Sequence, residues 1–174
     1  IIPVFNEADR ISWAVENWLE SGVVDEVIIA DGGSLDGTLD LARTAGAQVT
    51  KTPHGRGGQM AAGADAAVGD WLLFVHADMR LGRGWQVVTQ RFIANTANQF
   101  RGGYFRFAID DPSTAARRLE RIVAWRCGVF GLPYGDQGLL ISAEFYSRLG
   151  GFPIIPLMED VALVRQIATH RLEA

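Results

Sequence analysis

The stretch 26-EVIIADGGSLDGT-38 decides the fold. Val27, Ile28 and Ile29 form a β-branched run with no polar alternation, as expected of a strand buried on both faces in a parallel sheet. The run stops at Asp31, and two glycines, a serine and Asp36-Gly37 follow, all of them turn residues. Residues 36-DGTLDLARTAG-46 then read as a helix that closes at Gly46, with Ser34 as the predicted N-cap. Strand, turn and helix in that order make half of a parallel crossover unit.

The same alternation extends in both directions. Ile1 to Val4 reads as a strand, and 9-DRISWAVENWLESG-22 carries Ile11, Ala14, Val15, Trp18 and Leu19 at helical spacing before Gly22. Residues 47–51 alternate weakly, 57–69 form a helix of small residues, and 70-DWLLFVH-76 is the strongest strand signal. Helices are predicted over 85–96, 113–130 and 159–174, and an alternating strand over 103–109. Gly and Pro gather in 131-GLPYGDQG-138, where the pattern becomes irregular. This order predicts an α/β domain, a mostly parallel sheet with helices on both faces. Ligands in such sheets bind beyond the carboxyl ends of the strands. Asn6-Glu7, Asp31 to Ser34 and His76 to Asp78 therefore share one edge.

Composition narrows the class. With 174 residues, 48% hydrophobic and 21% charged, the chain suits one globular domain. A net charge of −4 argues against a nucleic-acid partner. The single cysteine, Cys127, excludes an internal disulfide and fits a reducing, cytoplasmic setting. No apolar run approaches the roughly 20 residues that span a bilayer. The chain opens within an apolar segment without an initiator Met and stops within a helical pattern, so both ends are expected to be incomplete.

Four clusters carry polar groups suited to chemistry. In 31-DGGSLDGT-38, glycines allow close backbone approach and Asp31 offers an acceptor at a strand tip, although a plain turn uses the same residues. The pattern is not G-x-G-x-x-G, which disfavours a dinucleotide site. In 54-HGRGGQMAAG-63, Arg56 stands in a glycine-rich loop before a helix, which suits a diphosphate or a solvated turn. His76 and Asp78 lie two apart at a strand exit and face one side. A carboxylate there suits Mg2+ or Mn2+, and Mn2+ tolerates a histidine better. Glu159-Asp160 opens a helix, where acids are ordinary dipole partners or, alternatively, a general base. The helix over 113–130 sets Arg117, Arg118, Arg121 and Arg126 against Glu120. That pattern suits a solvated cationic face, an anionic acceptor or a membrane surface.

Together these clusters resemble the nucleotide-sugar glycosyltransferases of the GT-A fold, family 2, nearly end to end. IPVFNEA is similar to the family's first strand and loop. ADGGSLDGT resembles its V-D-D-G-S-x-D-G-T segment with Gly32 for the second Asp, and FVHAD resembles the approach to Asp-x-Asp with His76 for the first Asp. GLPYGDQG and MED resemble the acceptor-side segment and the catalytic Glu-Asp. The phrasing is most similar to a bacterial subgroup associated with arsenosugar biosynthesis.

The resemblance implies a Rossmann-like GT-A domain over 1–174, with a nucleotide-binding half (1–100) and an acceptor-side half (101–174). It implies a nucleotide-sugar pocket of Pro3, Glu7, Asp31, Gly33, Ser34, Arg56, Gln59, His76 and Ala77, with Asp31 near the base. Asp78 would hold a divalent cation, Mn2+ or Mg2+, with His76 as a second candidate ligand. Gly135, Asp136 and Gln137 would meet the sugar and acceptor. Asp160, with Glu159 beside it, would be the catalytic base of an inverting transfer from a nucleoside-diphosphate sugar to a hydroxyl acceptor. The expected setting is cytoplasmic, with peripheral inner-membrane contact through helix 113–130. A nucleotidyltransferase and a non-catalytic sugar-nucleotide-binding module are the alternatives.

Overall fold

The central strands send alternate side chains to opposite layers, and this places the helices. The computed structural model describes residues 1–155 and 157–174. In chain order the elements are β1 (Ile2–Val4), α1 (Ala8–Leu19), β2 (Ile28–Asp31), α2 (Thr38–Thr44), β3 (Gln48–Lys51), α3 (Arg56–Ala66) and β4 (Trp71–Phe74). Then come α4 (Trp85–Ala94), β5 (Gly102–Gly103), α5 (Thr114–Phe130), β6 (Leu139–Ser142), α6 (Ala143–Arg148), α7 (Glu159–Val164) and β7 (Leu172–Glu173). β1, β2 and β3 are parallel, with Val4 opposite Asp31 and Asp31 opposite Lys51. A second sheet runs β4-β6-β5-β7, in which β6 is antiparallel to both neighbours and β7 is parallel to β5. The Ile1 amine donates to Leu73 O at 2.8 Å, and Val75 N–H donates to Ile1 O at 3.1 Å. These bonds join the sheets along β1 and β4, so the strands run β3-β2-β1-β4-β6-β5-β7.

One layer gathers Ile2, Val4, Ile29 and Val75 against Ile11, Val15 and Trp18 of α1 and Ala42 of α2. The other gathers Leu72, Phe74, Leu139 and Ile141 against Met60 of α3, Phe145 and Tyr146 of α6, and Leu163 of α7. The predicted α/β class, a largely parallel mixed sheet with helices on both faces, is the observed one. The small residues of α3 have a physical reason: a Cβ on Gly63 would strike the Ile1 side chain and meet Ala30 Cβ at 3.6 Å.

Three expectations are corrected. Ser34 does not cap a helix. The helix starts at Thr38 after Gly37 in the left-handed region (φ 87°), and Asp36 accepts from Thr38 N–H at 3.1 Å. Ser34 Oγ instead accepts from Asn6 N–H at 2.8 Å, which ties the first two strand-tip loops together. The strand expected over 103–109 shrinks to Gly102–Gly103, because Ile109 N–H turns away to the Glu120 carboxylate at 2.8 Å. The helix expected over 159–174 ends at Val164, and the chain returns to the sheet as β7. There Leu172 packs onto Gly102, and strand pairing overrides the helical spacing.

The strand tips are clamped by Gln59. Its buried amide donates to Val4 O at 2.7 Å and Ala30 O at 2.8 Å, and its Oε1 accepts from Gly55 N–H at 3.3 Å. Replacing Gln59 by Met keeps the bulk but removes both side-chain donations, one of them to a Val4 O that keeps Gly32 N–H at 3.0 Å. Urea unfolding of that variant is expected to show a loss of roughly 1–3 kcal/mol. An unchanged midpoint would mean that water or backbone takes over the bonds.

Candidate active site

The loops after β1 and β2 are laced together before any ligand enters. Asp31, 1% exposed, turns its carboxylate onto its own loop and accepts from Gly33 N–H at 3.0 Å and Ser34 N–H at 3.1 Å. Asn6, at φ 56°, accepts from Leu35 N–H at 2.9 Å. Glu7 N–H donates to Thr38 Oγ1 at 2.9 Å, and Ala8 N–H donates to Asp36 at 3.1 Å. That contact and Thr38 hold the Asp36 carboxyl below the usual range, the Thr38 hydroxyl contributing most. The Glu7 side chain pairs with Arg10 at 3.2 Å.

Further along the edge, four distant segments meet. Arg56, at the start of α3, sets Nε 3.3 Å from Glu159 of α7, whose carboxylate is 2% exposed. Its Nη2 lies 2.6 Å from His76 Nε2 at the exit of β4. Arginine has only donors, so this ring nitrogen is the acceptor and the neutral imidazole carries its proton on Nδ1. Asp160 Oδ2 accepts from Gly135 N–H at 2.6 Å, and Oδ1 accepts from Val161 N–H at 2.8 Å. Gly135 is the centre of the group. A Cβ there would sit 3.0 Å from Arg56 Nη2, 3.2 Å from Asp160 Oδ2 and 3.2 Å from His76 Nε2. Beneath them is a cavity of about 20 Å³, lined by His76, Gly135, Asp160 and apolar groups including Met60 and Phe152. That is room for a water rather than a sugar.

Other expected site residues lie elsewhere or act indirectly. Pro3 is inside β1 opposite Ala30, and Ala77 is buried under the α1 layer. Gly33 is exposed at φ 98°. Gln59 and Asp31 are turned inward, which makes them builders of the strand tips rather than outward contacts. Glu159 is directed onto Arg56, so it positions that side chain. Gln137 is buried, its Oε1 accepting from Arg126 Nη2 and Tyr134 N–H at 3.3 Å and its Nε2 donating to Phe105 O at 3.1 Å. It fastens the 131–138 loop to α5, while Asp136 beside it is exposed. One group escaped the sequence reading: Phe5, 46% exposed, stands edge-on to the exposed His54 with ring centroids 4.4 Å apart. Position directly after β1 was the available signal for Phe5.

For a cation, the carboxylate to weigh at the exit of β4 is Asp78. Asp78 is exposed and lies 4.0 Å from Arg10 Nη1. Among the described residues no three His, Cys, Asp or Glu side chains converge. His76 does not fit as a ligand while its acceptor nitrogen faces a guanidinium. Asp78 does fit a hard cation that takes its remaining ligands from phosphate oxygens and water.

The model of Glycosyl transferase family 2 matches residues 1–125. The chain belongs to this family. An uncharacterized glycosyltransferase of Rickettsia prowazekii, RP128, is 36% identical over 97 residues, 55% of this chain and 32% of that protein. The glycosyltransferase AglJ of Haloferax volcanii is 41% identical over 49 residues, 28% of this chain and 16% of that protein. The chain thus spans about a third or less of the length of these curated relatives. Among solved structures, glucosyl-3-phosphoglycerate synthase of Mycobacterium tuberculosis, in complex with Mn2+, uridine diphosphate and phosphoglyceric acid, superposes with a TM-score of 0.69 at 22% identity. The match covers 99% of this chain and 65% of the synthase. Mannosyl-3-phosphoglycerate synthase of Rubrobacter xylanophilus gives 0.67 at 17% identity, covering 99% of this chain and 62% of that one. The fold of this family 2 chain is therefore GT-A, as its strand order and layers indicate.

Within this glycosyltransferase fold, the proton affinity of His76 is lowered. Burial lowers its pKa most and the Arg56 charge lowers it further, against the opposing pull of Asp78, Asp136 and Asp160. The folded chain therefore binds fewer protons at this ring than the unfolded chain. The stability contribution is whole above about pH 6.5 and declines as pH falls toward the folded pKa. Nitrogen NMR is expected to find the His76 ring neutral at pH 6.5, and Arg56→Gln is expected to raise its midpoint. A ring already protonated at that pH would contradict the Arg56 contact.

Proposed function

We propose that this chain transfers a sugar from a nucleoside-diphosphate sugar to a hydroxyl acceptor by inverting single displacement. The observation that carries the reading is the gathering of Arg56, His76 and Asp160 around Gly135 at the strand tips of a family 2 fold. Each Asp160 oxygen accepts one backbone N–H and keeps further lone-pair capacity. The carboxylate takes the acceptor hydroxyl's proton as that oxygen attacks the anomeric carbon. The bond from that carbon to the diphosphate oxygen breaks on the opposite side, and the nucleoside diphosphate leaves with the electron pair. Arg56 uses one edge on Glu159 and His76, and its free N–H groups face the diphosphate with positive charge. His76, held neutral, takes no proton from the acceptor and keeps Arg56 oriented. Glu159 is a positioning residue.

A divalent cation, Mn2+ or Mg2+, fits beside Asp78, where it would offset negative charge on the departing diphosphate. The complex of the mycobacterial synthase with Mn2+ and uridine diphosphate supports both the cation and the donor class. The exposed Phe5 ring, edge-on to His54, offers an aromatic contact for a nucleobase next to the loop that Asp31 shapes. A hexose is the sugar class in keeping with the two synthases. Asp136, exposed beside Gly135, lies where sugar and acceptor meet in this reading.

Asp160→Asn separates binding from chemistry. Calorimetry is expected to find donor affinity within about twofold of the parent, while kcat falls by roughly 10²–10⁴. Near-normal turnover of this variant would remove Asp160 as the base.

A further inference from the structure

The outer face of α5 has no role in the fold or in the reaction above. Leu119, Ile122, Trp125, Val129 and Phe130 are 46–61% exposed. The helix packs inward through Ala116, Val123 and Cys127, so its core-facing stripe is a different one. Side chains three and four apart share a helix face. Ile122, Trp125 and Val129 thus form one outward row, widened by Leu119 and Phe130. Trp125 and Phe130 pack edge to face with centroids 5.4 Å apart, making an aromatic ridge in solvent.

Charge on this face has one sign. Arg118 lies one turn before Ile122, and Arg121 one turn before Trp125. Both are exposed, and among the described residues neither forms an ion pair. The only acid of the helix, Glu120, is half-buried and spent on Arg117 at 2.7 Å and on Ile109 N–H at 2.8 Å. The nearest exposed acids, Asp110 and Asp111, precede the helix, and Asp111 is bound to Ser113. An apolar row with bare arginines beside it, on a chain of net charge −4, is a local positive feature rather than a general one.

We propose that α5 lies along the surface of an anionic membrane, with its apolar row in the acyl boundary and Arg118 and Arg121 among lipid phosphates. Charge complementarity selects this occupant: the arginines match anionic headgroups, and tryptophan and phenylalanine suit the interfacial zone. The row is a convex ridge on a single helix of 17 residues, to which a bilayer conforms more fully than a rigid protein surface does. No helix among the described residues is long and apolar enough to cross a membrane, so this contact is one of lying on the surface. The C-terminal end of α5 leads directly into the 131–138 loop that carries Gly135. Docking thereby sets the Asp160 side of the site close to the bilayer. The binding itself does not depend on the reaction proposed above.

Co-sedimentation of the purified protein with vesicles tests this. Vesicles of phosphatidylcholine mixed with phosphatidylglycerol are expected to retain the protein at low salt, and pure phosphatidylcholine to retain at least about tenfold less. Ile122→Ser with Trp125→Ser is expected to weaken retention by about tenfold or more. Arg118→Glu with Arg121→Glu is expected to do the same. This second variant changes only exposed charges, so it stays decisive should the first fail to fold by circular dichroism. The proposal is overturned by absent retention, by equal retention on both vesicle types, or by arginine variants that bind like the parent. It is equally overturned if the face mediates self-association in sedimentation velocity without vesicle binding.

Discussion

The Arg56 guanidinium, held between Glu159 and His76, is the contact on which the strand-tip site depends. A carboxylate as deeply buried as Glu159 needs a compensating charge, and Arg56 supplies it. This draws the start of α3 against the start of α7. Through Nη2 the same guanidinium meets the exit of β4 at His76. The approach is possible because glycines stand where side chains would intrude. A Cβ on Gly57 would strike the Pro153 carbonyl, and one on Gly135 would press on Arg56, His76 and Asp160 together. Asp160 follows Glu159 directly, so the pairing that buries one acid aims the other toward the site.

The two halves of the site are secured differently. At the tips of β1 and β2, Gln59 locks the strand ends, and Asp31, Asn6, Asp36 and Thr38 cross-bond the loops beyond them. Around Gly135, Gln137 ties the 131–138 loop to α5 and to Phe105, together with Arg126, which donates Nε to Leu132 O at 3.1 Å and stacks 3.5 Å over the Tyr134 ring. The first half presents a preformed cradle of backbone. The second presents Asp160 through one loop contact, at Gly135. A preformed cradle of this kind suits the proposed reaction, in which a donor is held while a second molecule enters.

Most of the first hundred residues was legible from sequence. The β-branched run at 27–29, the helical spacing of Ile11, Ala14, Val15 and Trp18, and the apolar run ending at His76 each reflect burial that the sequence pattern records directly. The second half was less legible because its elements are set by distant partners. Gly102 and Gly103 carry no side chain to announce a strand, yet they pair with β6 on one side and β7 on the other. Leu172 reads as helix until Gly102 leaves room for it. At the candidate site, residue identity pointed to loops that the structure brings together but not to the direction of the side chains. Asp31 and Gln59 were legible as polar groups at strand tips. That both turn inward follows from backbone amides and carbonyls that the sequence pattern does not reveal.

The account's central claim is that ligands engage the Arg56, His76, Gly135 and Asp160 cluster. A rival surface exists: a concavity of about 880 Å³ lies at the amino ends of the strands around Glu26, Ile28 and Trp71. Amide and imidazole NMR during titration with uridine diphosphate and Mn2+ distinguishes the two. Saturable shifts at Gly135 N–H and the His76 ring, with Glu26 and Trp71 unmoved, are the predicted result. Shifts confined to Glu26, Ile28 and Trp71, with the strand-tip signals still, would contradict the claim.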